Sequence, residues 1–189
     1  MKIDQSPEYL GISIGLYRNW RVALSEKHRR YHTLAHVEAM LSHMPDVSAS
    51  RELVAAIWLH DIVYAPEAND NERQSAERAL RDLRDTTIDS QAVYNLILGT
   101  KHHEGGSDTQ NVLNDLDLGI LGAPRAAYAQ YTHQIREEYG HVEDKLYKFA
   151  RAAIMRQFND RQIFKTSYFQ HLEEPAHANL TWEIKSLER

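Results

Sequence analysis

The sequence contains no cysteine, few glycines and prolines, and no long hydrophobic run. Its 189 residues include 8 Gly and 5 Pro, which fall mostly between stretches with a helical pattern. Without cysteine the chain cannot form disulfides, thiolate metal sites or cysteine nucleophiles. The longest apolar run, residues 53–59, is far too short to span a bilayer. The opening segment MKIDQSPEYL lacks the apolar core of a signal peptide. We therefore expect a cytoplasmic protein with no membrane partner.

The composition is that of an ordinary globular protein. Hydrophobic residues make up 42% and charged residues 26% of the chain. The formal net charge of -5 argues against nucleic acid as the main partner, although a local cluster of cations could bind phosphate. The length suffices for one domain with a sizeable core, and neither a linker nor an internal repeat divides it. We predict a single domain over residues 1–189.

The chain is rich in good helix formers and poor in β-branched alternation, which predicts an all-α fold of about eight or nine helices. Ser6 is the expected N-cap of the first helix, with Pro7 at its first position. The third helix contains the run LVAAIWL and is expected to be central. The predicted helices cover residues 8–25, 33–44, 51–60, 71–84, 90–103, 111–121, 124–139, 142–159 and 175–187.

Asp117 is predicted to lie on a helix face that is mostly apolar. Its neighbours three or four positions away are Leu113, Asn114, Ile120 and Leu121. The corresponding surface around Asp115 is more mixed. A carboxylate that faces the core must be paired, protonated or bound to a metal. The alternative to a metal is an ion pair with an arginine or a helix cap.

Histidines and a second carboxylate occupy comparable positions. His60 and Asp61 close the most apolar helix, where two adjacent side chains can both reach one centre. Alternatively, a histidine favoured by the helix dipole precedes an aspartate that starts a turn. His32 and His36 share a helix face and could chelate one metal, although HTLAH lacks the glutamate of the zinc-protease motif. Otherwise His36 binds metal while His32 handles protons, or both are partly exposed histidines.

Taken together, two histidines and two carboxylates, His36, His60, Asp61 and Asp117, form a ligand set that suits Mg, Mn, Fe or Zn. Open coordination positions on such an ion would bind a phosphate oxygen and activate water. His102 and His103 follow another apolar helix, beside Lys101, where a functional role and a solvated helix end are both consistent with the sequence.

The order of histidine, His-Asp and a distant aspartate resembles the HD-domain superfamily of metal-dependent phosphohydrolases. A bacterial branch of predicted phosphohydrolases is similar over about residues 17–187. The segments that carry the similarity are RRYHTLAHV, AAIWLHDIVY, NERQSA, ILGTKHH, NDLDLGILG, RQIFKTSYF and AHANLTWEI.

This resemblance implies an HD-type helical bundle and a role for each motif. The metal ligands would be His36, His60, Asp61 and Asp117. YHTLAH is similar to the cyclic-nucleotide phosphodiesterase stretch YHNxxH, which makes His32 the candidate general acid. A second metal, bridged by Asp61, would use His102 or His103. Glu72 and Ser75 are candidates for positioning water or ligands, with an exposed helix surface as the alternative. The candidate phosphate contacts are Arg29, Arg30 and Lys101.

We therefore expect a hydrolase that uses a divalent metal to cleave a phosphomonoester or phosphodiester of a small molecule, with a nucleotide as one candidate. Two alternatives stay open at this point. Some HD proteins carry two irons and activate oxygen, and a helical ligand-binding or regulatory module could keep the metal for structure alone. A homo-oligomer is also compatible with the sequence.

Overall fold

The computed structural model describes residues 7–45 and 50–189, and all regular structure in these ranges is helical. This confirms the all-α prediction. The α-helices are α1 (Pro7–Leu10), α2 (Ile14–Ala23), α3 (Leu34–His43), α4 (Arg51–Leu59), α5 (Asn71–Asp82), α6 (Ser90–Gly99), α7 (Asp108–Asp117), α8 (Arg125–Glu138), α9 (Asp144–Asn159) and α10 (Glu173–Leu187). Two short 3-10 helices span Leu118–Gly122 and Gln170–Leu172. No helix in the described ranges combines the length and apolar composition that a bilayer crossing requires.

The described chain divides into two compact units. The first unit ends at Leu116, and the second is Asp117–Arg189. A single domain over residues 1–189 stays a prediction, and each unit is described by itself below.

Helix α4 forms the centre of the first unit. Every residue from Leu53 to Leu59 is buried, and α4 packs against α1, α3, α5 and α6. Ser50 caps the start of α4, since its hydroxyl accepts from the backbone N–H of Leu53 at 3.0 Å. The predicted central position of this helix is confirmed, and its last turn delivers His60 into the interior of the unit.

The first predicted helix, residues 8–25, is two helices in the structure. Gly11 has φ of 65°, a left-handed conformation that favours glycine. Its N–H donates to Glu8, and the N–H of Ile12 donates to Pro7, which is the Schellman pattern that ends α1. Ser13 then caps α2. Pro7 is the first helical residue, as predicted, whereas Ser6 lies outside the described residues.

Helix α6 ends at Gly99, four residues before its predicted end. The backbone N–H groups of Thr100 and Lys101 donate to residues three positions earlier, Ile97 and Leu98, so the α-helical bond pattern ends here. His103 has φ of 49°, which is also incompatible with a helix. His102 and His103 therefore lie in the loop between α6 and α7 rather than at a helix end.

Helix α10 organises the second unit by packing against α8, α9 and both 3-10 helices. A buried polar network links three of its helices. Arg151 donates to Glu183 at 2.9 Å and to the hydroxyl of Tyr131 at 3.0 Å, and Tyr128 donates to the same carboxylate. Asn179 donates to the carbonyls of Leu121 and Ala123, which fixes the end of the first 3-10 helix.

Candidate metal centre

Three predicted ligands form a cluster in the first unit. His36 lies in the first turn of α3, His60 caps the end of α4, and Asp61 follows it. One possible ligand atom from each residue lies within 4.8 Å of the other two. His36 and His60 are buried, whereas the Asp61 side chain keeps 17% exposure. A group of this size and composition could hold a metal ion.

Two contacts orient the imidazole of His60. Nδ1 lies 2.9 Å from the carbonyl oxygen of Ile57, and because that oxygen can only accept, Nδ1 carries the proton. Nε2 lies 3.0 Å from Oδ2 of Asp61. In the neutral ring both of these atoms bear lone pairs, so their approach is favourable when they share a proton or a cation.

The same separation fits a shared metal ion. Two ligand atoms about 2.1 Å from one ion lie about 3 Å apart when their bonds meet near a right angle. The hydrogen bond from His60 to Ile57 is also the kind of outer contact that normally orients a metal-binding histidine. Imidazole nitrogens with a carboxylate oxygen form a borderline-to-hard donor set, which suits Zn, Fe or Mn and tolerates Mg.

The turn that carries Asp61 is held by hydrogen bonds from distant parts of the first unit. Arg29 donates to the carbonyls of Asp61 and Ile62 at 2.8 and 3.3 Å. The hydroxyl of Ser75, on α5, donates to the carbonyl of Val63 and accepts from its N–H, both at 3.1 Å. Ser75 is fully buried, so the alternative of an exposed helix surface is wrong for it. Its role in positioning water or ligands stays a prediction.

Helix α3 brings His36 to this turn. Its predicted range, 33–44, is confirmed by an α-helix over Leu34–His43 with Thr33 at the N-cap, and it packs against α4. The ring of His36 lies 5.4 Å from that of His60 and 4.9 Å from that of Tyr31.

His32, the candidate acid, lies at the edge of the same cluster. Its ring stacks on Tyr64 with centroids 4.3 Å apart and an interplanar angle of 26°. The centroid of His36 is 6.3 Å away. The half-buried His32 precedes α3 rather than lying within it, so its separation from His36 does not follow the helical spacing assumed from the sequence.

Asp117 is the last residue of α7 and the first of the second unit. It is half-buried. Within the second unit, Asp117 affects the pKa of Tyr131. Burial is the largest cause that raises this pKa, and the positive charge of Arg151 opposes the shift. The negative charges of Glu183 and Asp117 raise the pKa further. Asp117 as the fourth ligand stays a prediction.

The predicted difference between Asp115 and Asp117 is wrong. Asp115 is fully buried, and Asp117 is the more exposed of the two. Helix α7 is buried on most sides from Gln110 to Leu116, so it has no single apolar face. The chain also changes to a 3-10 helix at Leu118, so residues after Asp117 do not follow α-helical neighbour positions.

Two of the predicted phosphate contacts, Arg30 and Lys101, are exposed cations. Arg30 donates to the carbonyls of Lys27 and Arg29. Lys101 donates to the carbonyl of Asn69 at 2.9 Å, and its Nζ lies 3.9 Å from Oε2 of Glu72. The exposed positions leave both cations accessible to an anion.

The third predicted phosphate contact requires correction. Arg29 has a side chain with 0% exposure, and its N–H groups point to protein oxygens of Glu26, His32, Asp61 and Ile62. A guanidinium has five N–H donors, and these five bonds use all of them. Arg29 is therefore a structural contact rather than a phosphate ligand.

The remaining candidates lie on segments next to the cluster. Glu72 is in the first turn of α5, 29% exposed and paired with Lys101. His102 is exposed and His103 half-buried. Among the described residues, the group of close ligand atoms around His60 does not extend to these three side chains. Their catalytic or second-metal roles stay predictions.

The sequence interpretation missed Tyr64, a buried residue whose ring contacts His32 and the guanidinium of Arg29. Its position four residues after His60 could have indicated it, because an aromatic residue beside a polar cluster, as in HDIVY, normally packs its ring against neighbouring side chains.

Comparison of the chain with models of known protein families, with curated proteins and with solved structures found no match.

Proposed function

We propose that this chain is a metal-dependent phosphohydrolase of the HD type, which cleaves a phosphomonoester or phosphodiester of a small molecule such as a nucleotide. The observation that carries the proposal is the cluster of His36, His60 and Asp61, with one ligand atom of each within 4.8 Å of the others. The order of these residues along the chain, and their similarity to the HD motif, link the cluster to phosphate chemistry. A cytoplasmic location is part of the same proposal.

His36, His60 and Asp61 would hold a divalent ion, Mg, Mn, Fe or Zn, with Asp117 as the proposed fourth ligand. When bound, such an ion polarises a phosphoryl group and activates water. Since Nδ1 of His60 donates to Ile57, Nε2 is the ring nitrogen that would bind the ion. The partly exposed carboxylate of Asp61 marks the side of the cluster that solvent and substrate can reach.

His32 would donate the proton that the leaving oxygen requires. Its ring stacks on Tyr64, and its centroid lies 6.3 Å from that of His36. Imidazole titrates near neutral pH, so it can both donate and regain a proton in each turnover. Arg30 and Lys101 are the proposed contacts for substrate phosphate, since both are exposed cations on segments that flank the cluster.

The proposal is tested by elemental analysis of the purified protein together with a panel of phosphomonoester and phosphodiester substrates. We expect a bound transition metal or Mg, and metal-dependent phosphate release. His60→Ala and Asp61→Ala should lose both the metal and turnover, because each removes a ligand. His43→Ala is the matched control, since His43 is an exposed histidine at the end of α3 and contacts only its own helix in the described bonds.

Other results would contradict the proposal in recognisable ways. Full phosphatase activity in metal-free His60→Ala would exclude a metal mechanism. Two irons with oxygen uptake and no phosphate release would favour the oxygenase alternative. Unfolding of the chain on metal removal, with no activity towards any phosphate ester, would indicate a structural ion.

A further inference from the structure

Arg29 is a buried cation whose entire hydrogen-bonding capacity is used inside the first unit. Its side chain has 0% exposure. Nε and Nη2 each donate to Oε2 of Glu26 at 3.1 Å. Nη1 donates to the carbonyls of His32 and Asp61 at 2.9 and 2.8 Å, and Nη2 reaches Ile62 at 3.3 Å. One side chain thus joins three backbone carbonyls from two separate segments.

These two segments carry different parts of the proposed site. His32 is the proposed acid, and Asp61 is a proposed metal ligand. The guanidinium carbon of Arg29 also lies 5.5 Å from the centroid of Tyr64, the ring on which His32 stacks. Arg29 therefore contacts the His32 segment through its backbone and through the aromatic ring that supports its imidazole.

We propose that Arg29 is a positioning residue that sets the acid segment and the metal-ligand turn in register, an inference that rests on the proposed function. Arg29 touches neither substrate nor metal in this role. It acts through hydrogen bonds to the backbone carbonyls of Asp61 and His32. These bonds set the backbone positions from which the carboxylate and the imidazole extend. Partners that hydrogen-bond a ligating side chain directly are worth roughly 10–100-fold in metal affinity, and we take this range for the backbone contacts of Arg29.

The geometry requires arginine rather than any cation. Three carbonyls and a carboxylate lie around one planar group, and the five donors of a guanidinium match them in fixed directions. Lysine has three donors on a single nitrogen, so it cannot make all five of these bonds. The conservative change Arg29→Lys therefore keeps the charge and removes the register.

The experiment measures the dissociation constant for Zn²⁺ and the visible spectrum of the Co²⁺-loaded protein. For Arg29→Lys we expect the Zn²⁺ dissociation constant to rise roughly 10–100-fold and the Co²⁺ spectrum to change, since it reports ligand geometry. Arg51→Lys is the control for general destabilisation. Arg51 donates to Leu10 and Thr87 at the opposite end of α4, so its loss should lower the thermal midpoint with metal affinity unchanged.

Glu26→Gln provides a second variant in case Arg29→Lys fails to fold. Glu26 is half-exposed, and it receives two bonds from Arg29 without contacting the ligand turn. We expect a smaller rise in the Zn²⁺ dissociation constant and a shifted Co²⁺ spectrum. Wild-type affinity and spectrum in this variant, or equal loss of affinity in Arg51→Lys, would overturn the inference. If wild-type protein binds Zn²⁺ but releases no phosphate, the hydrolase proposal fails while these affinities still decide the role of Arg29.

Discussion

The histidines of the first unit are held in different ways, and this predicts different consequences of replacing them. His60 is fixed by a hydrogen bond from Nδ1 to a carbonyl, which suits a ligand. The ring of His32 stacks on Tyr64, which restricts the plane of the imidazole.

We expect His32→Gln to retain metal but to lower kcat by about 10²–10⁴ for alkyl phosphate esters, whose leaving oxygen needs a proton. The loss should be much smaller for p-nitrophenyl esters, because p-nitrophenolate leaves without protonation. Steady-state kinetics on both substrates, with elemental analysis of the same samples, measures this difference. Equal loss on both substrates would argue against an acid role, and His43→Gln serves as the control.

At the scale of single residues, the sequence was informative about identity and weaker about burial. His36, His60 and Asp61 were predicted together from their positions on apolar helices, and the structure brings them together. The relative burial of Asp115 and Asp117 was wrong because α7 is buried nearly all round. The role of Arg29 was also wrong, because the sequence shows a cation beside a histidine and not the carbonyls around it.

Among the helical elements, the 3-10 helix Leu118–Gly122 contains two glycines in contrasting surroundings. A Cβ added at Gly122 would lie 2.6 Å from Cβ of Leu172 and 2.9 Å from its carbonyl oxygen. A Cβ at Gly119 would meet nothing within 4 Å. Gly122 permits close packing of the two 3-10 helices, whereas a side chain at Gly119 would meet no neighbour.

Gly122→Ala should therefore destabilise the protein by about 1–3 kcal/mol, because a backbone carbonyl cannot move aside as a flexible side chain would. Thermal unfolding should show a midpoint lowered by several degrees, about 2–4 °C per kcal/mol for a chain of this size. Gly119→Ala lies in the same short helix and should leave the midpoint nearly unchanged. A matching loss in both variants would mean that the Leu172 contact is not the cause, since alanine has a higher helix propensity than glycine and propensity alone would not lower the midpoint.

Helix positions were predicted well where an apolar pattern coincides with a local end signal, as for α3, which ends before Pro45, and α4, which Ser50 caps. The errors occur where backbone conformation decides. The break at Gly11 depends on a left-handed residue and two local hydrogen bonds, and α6 ends where the backbone bonds of Thr100 and Lys101 change to a three-residue spacing. Neither of these two backbone features interrupts the hydrophobic pattern. Periodicity alone therefore merged α1 with α2 and extended α6 too far.

On the scale of the molecule, the second unit buries three tyrosines, Tyr128, Tyr131 and Tyr147. Burial raises the pKa of Tyr147 to about 12 and raises the pKa values of Tyr128 and Tyr131 as well. The nearby charge of Glu183 contributes to each of these shifts. Arg151 opposes the shift in all three, and its own pKa is raised well above the usual value by Tyr131 and Glu183, although burial alone would lower it.

These pKa shifts predict a loss of stability at alkaline pH. Tyrosine ionises near pH 10 in the unfolded chain, but Tyr147 stays neutral in the fold up to about 12. Its contribution is therefore complete below pH 10 and is lost as pH rises from 10 to 12, by up to about 1.4 kcal/mol per pH unit. Urea unfolding at pH 9 and pH 11 measures the loss.

Tyr147→Phe should reduce the alkaline loss, because phenylalanine has no proton to release. Tyr168→Phe is the control, since Tyr168 is 47% exposed. An alkaline loss of the same size in all three proteins would assign the effect to groups other than Tyr147.

The sequence predicted the all-helical class of the molecule, but the buried network of the second unit was missed. Tyr128, Tyr131, Arg151 and Glu183 come from three helices, and only Glu183 lies in a segment that the sequence analysis singles out, AHANLTWEI. Such networks depend on which helix faces meet, and helical periodicity does not contain that information. The candidate site was easier to predict because most of its residues come in short local motifs.

The segment that follows Asp61 is held at two points by side chains of α5, those of Ser75 and Asn71. Ser75 binds both backbone groups of Val63, and the side chain of Asn71 binds both backbone groups of Ala65. Everything between Ala65 and Asn71 therefore forms a closed surface loop whose two ends are fastened to each other. Insertions and deletions in that loop can accumulate during evolution without shifting the ligand turn. A change of length in this loop is therefore expected to leave His60 and Asp61 in place.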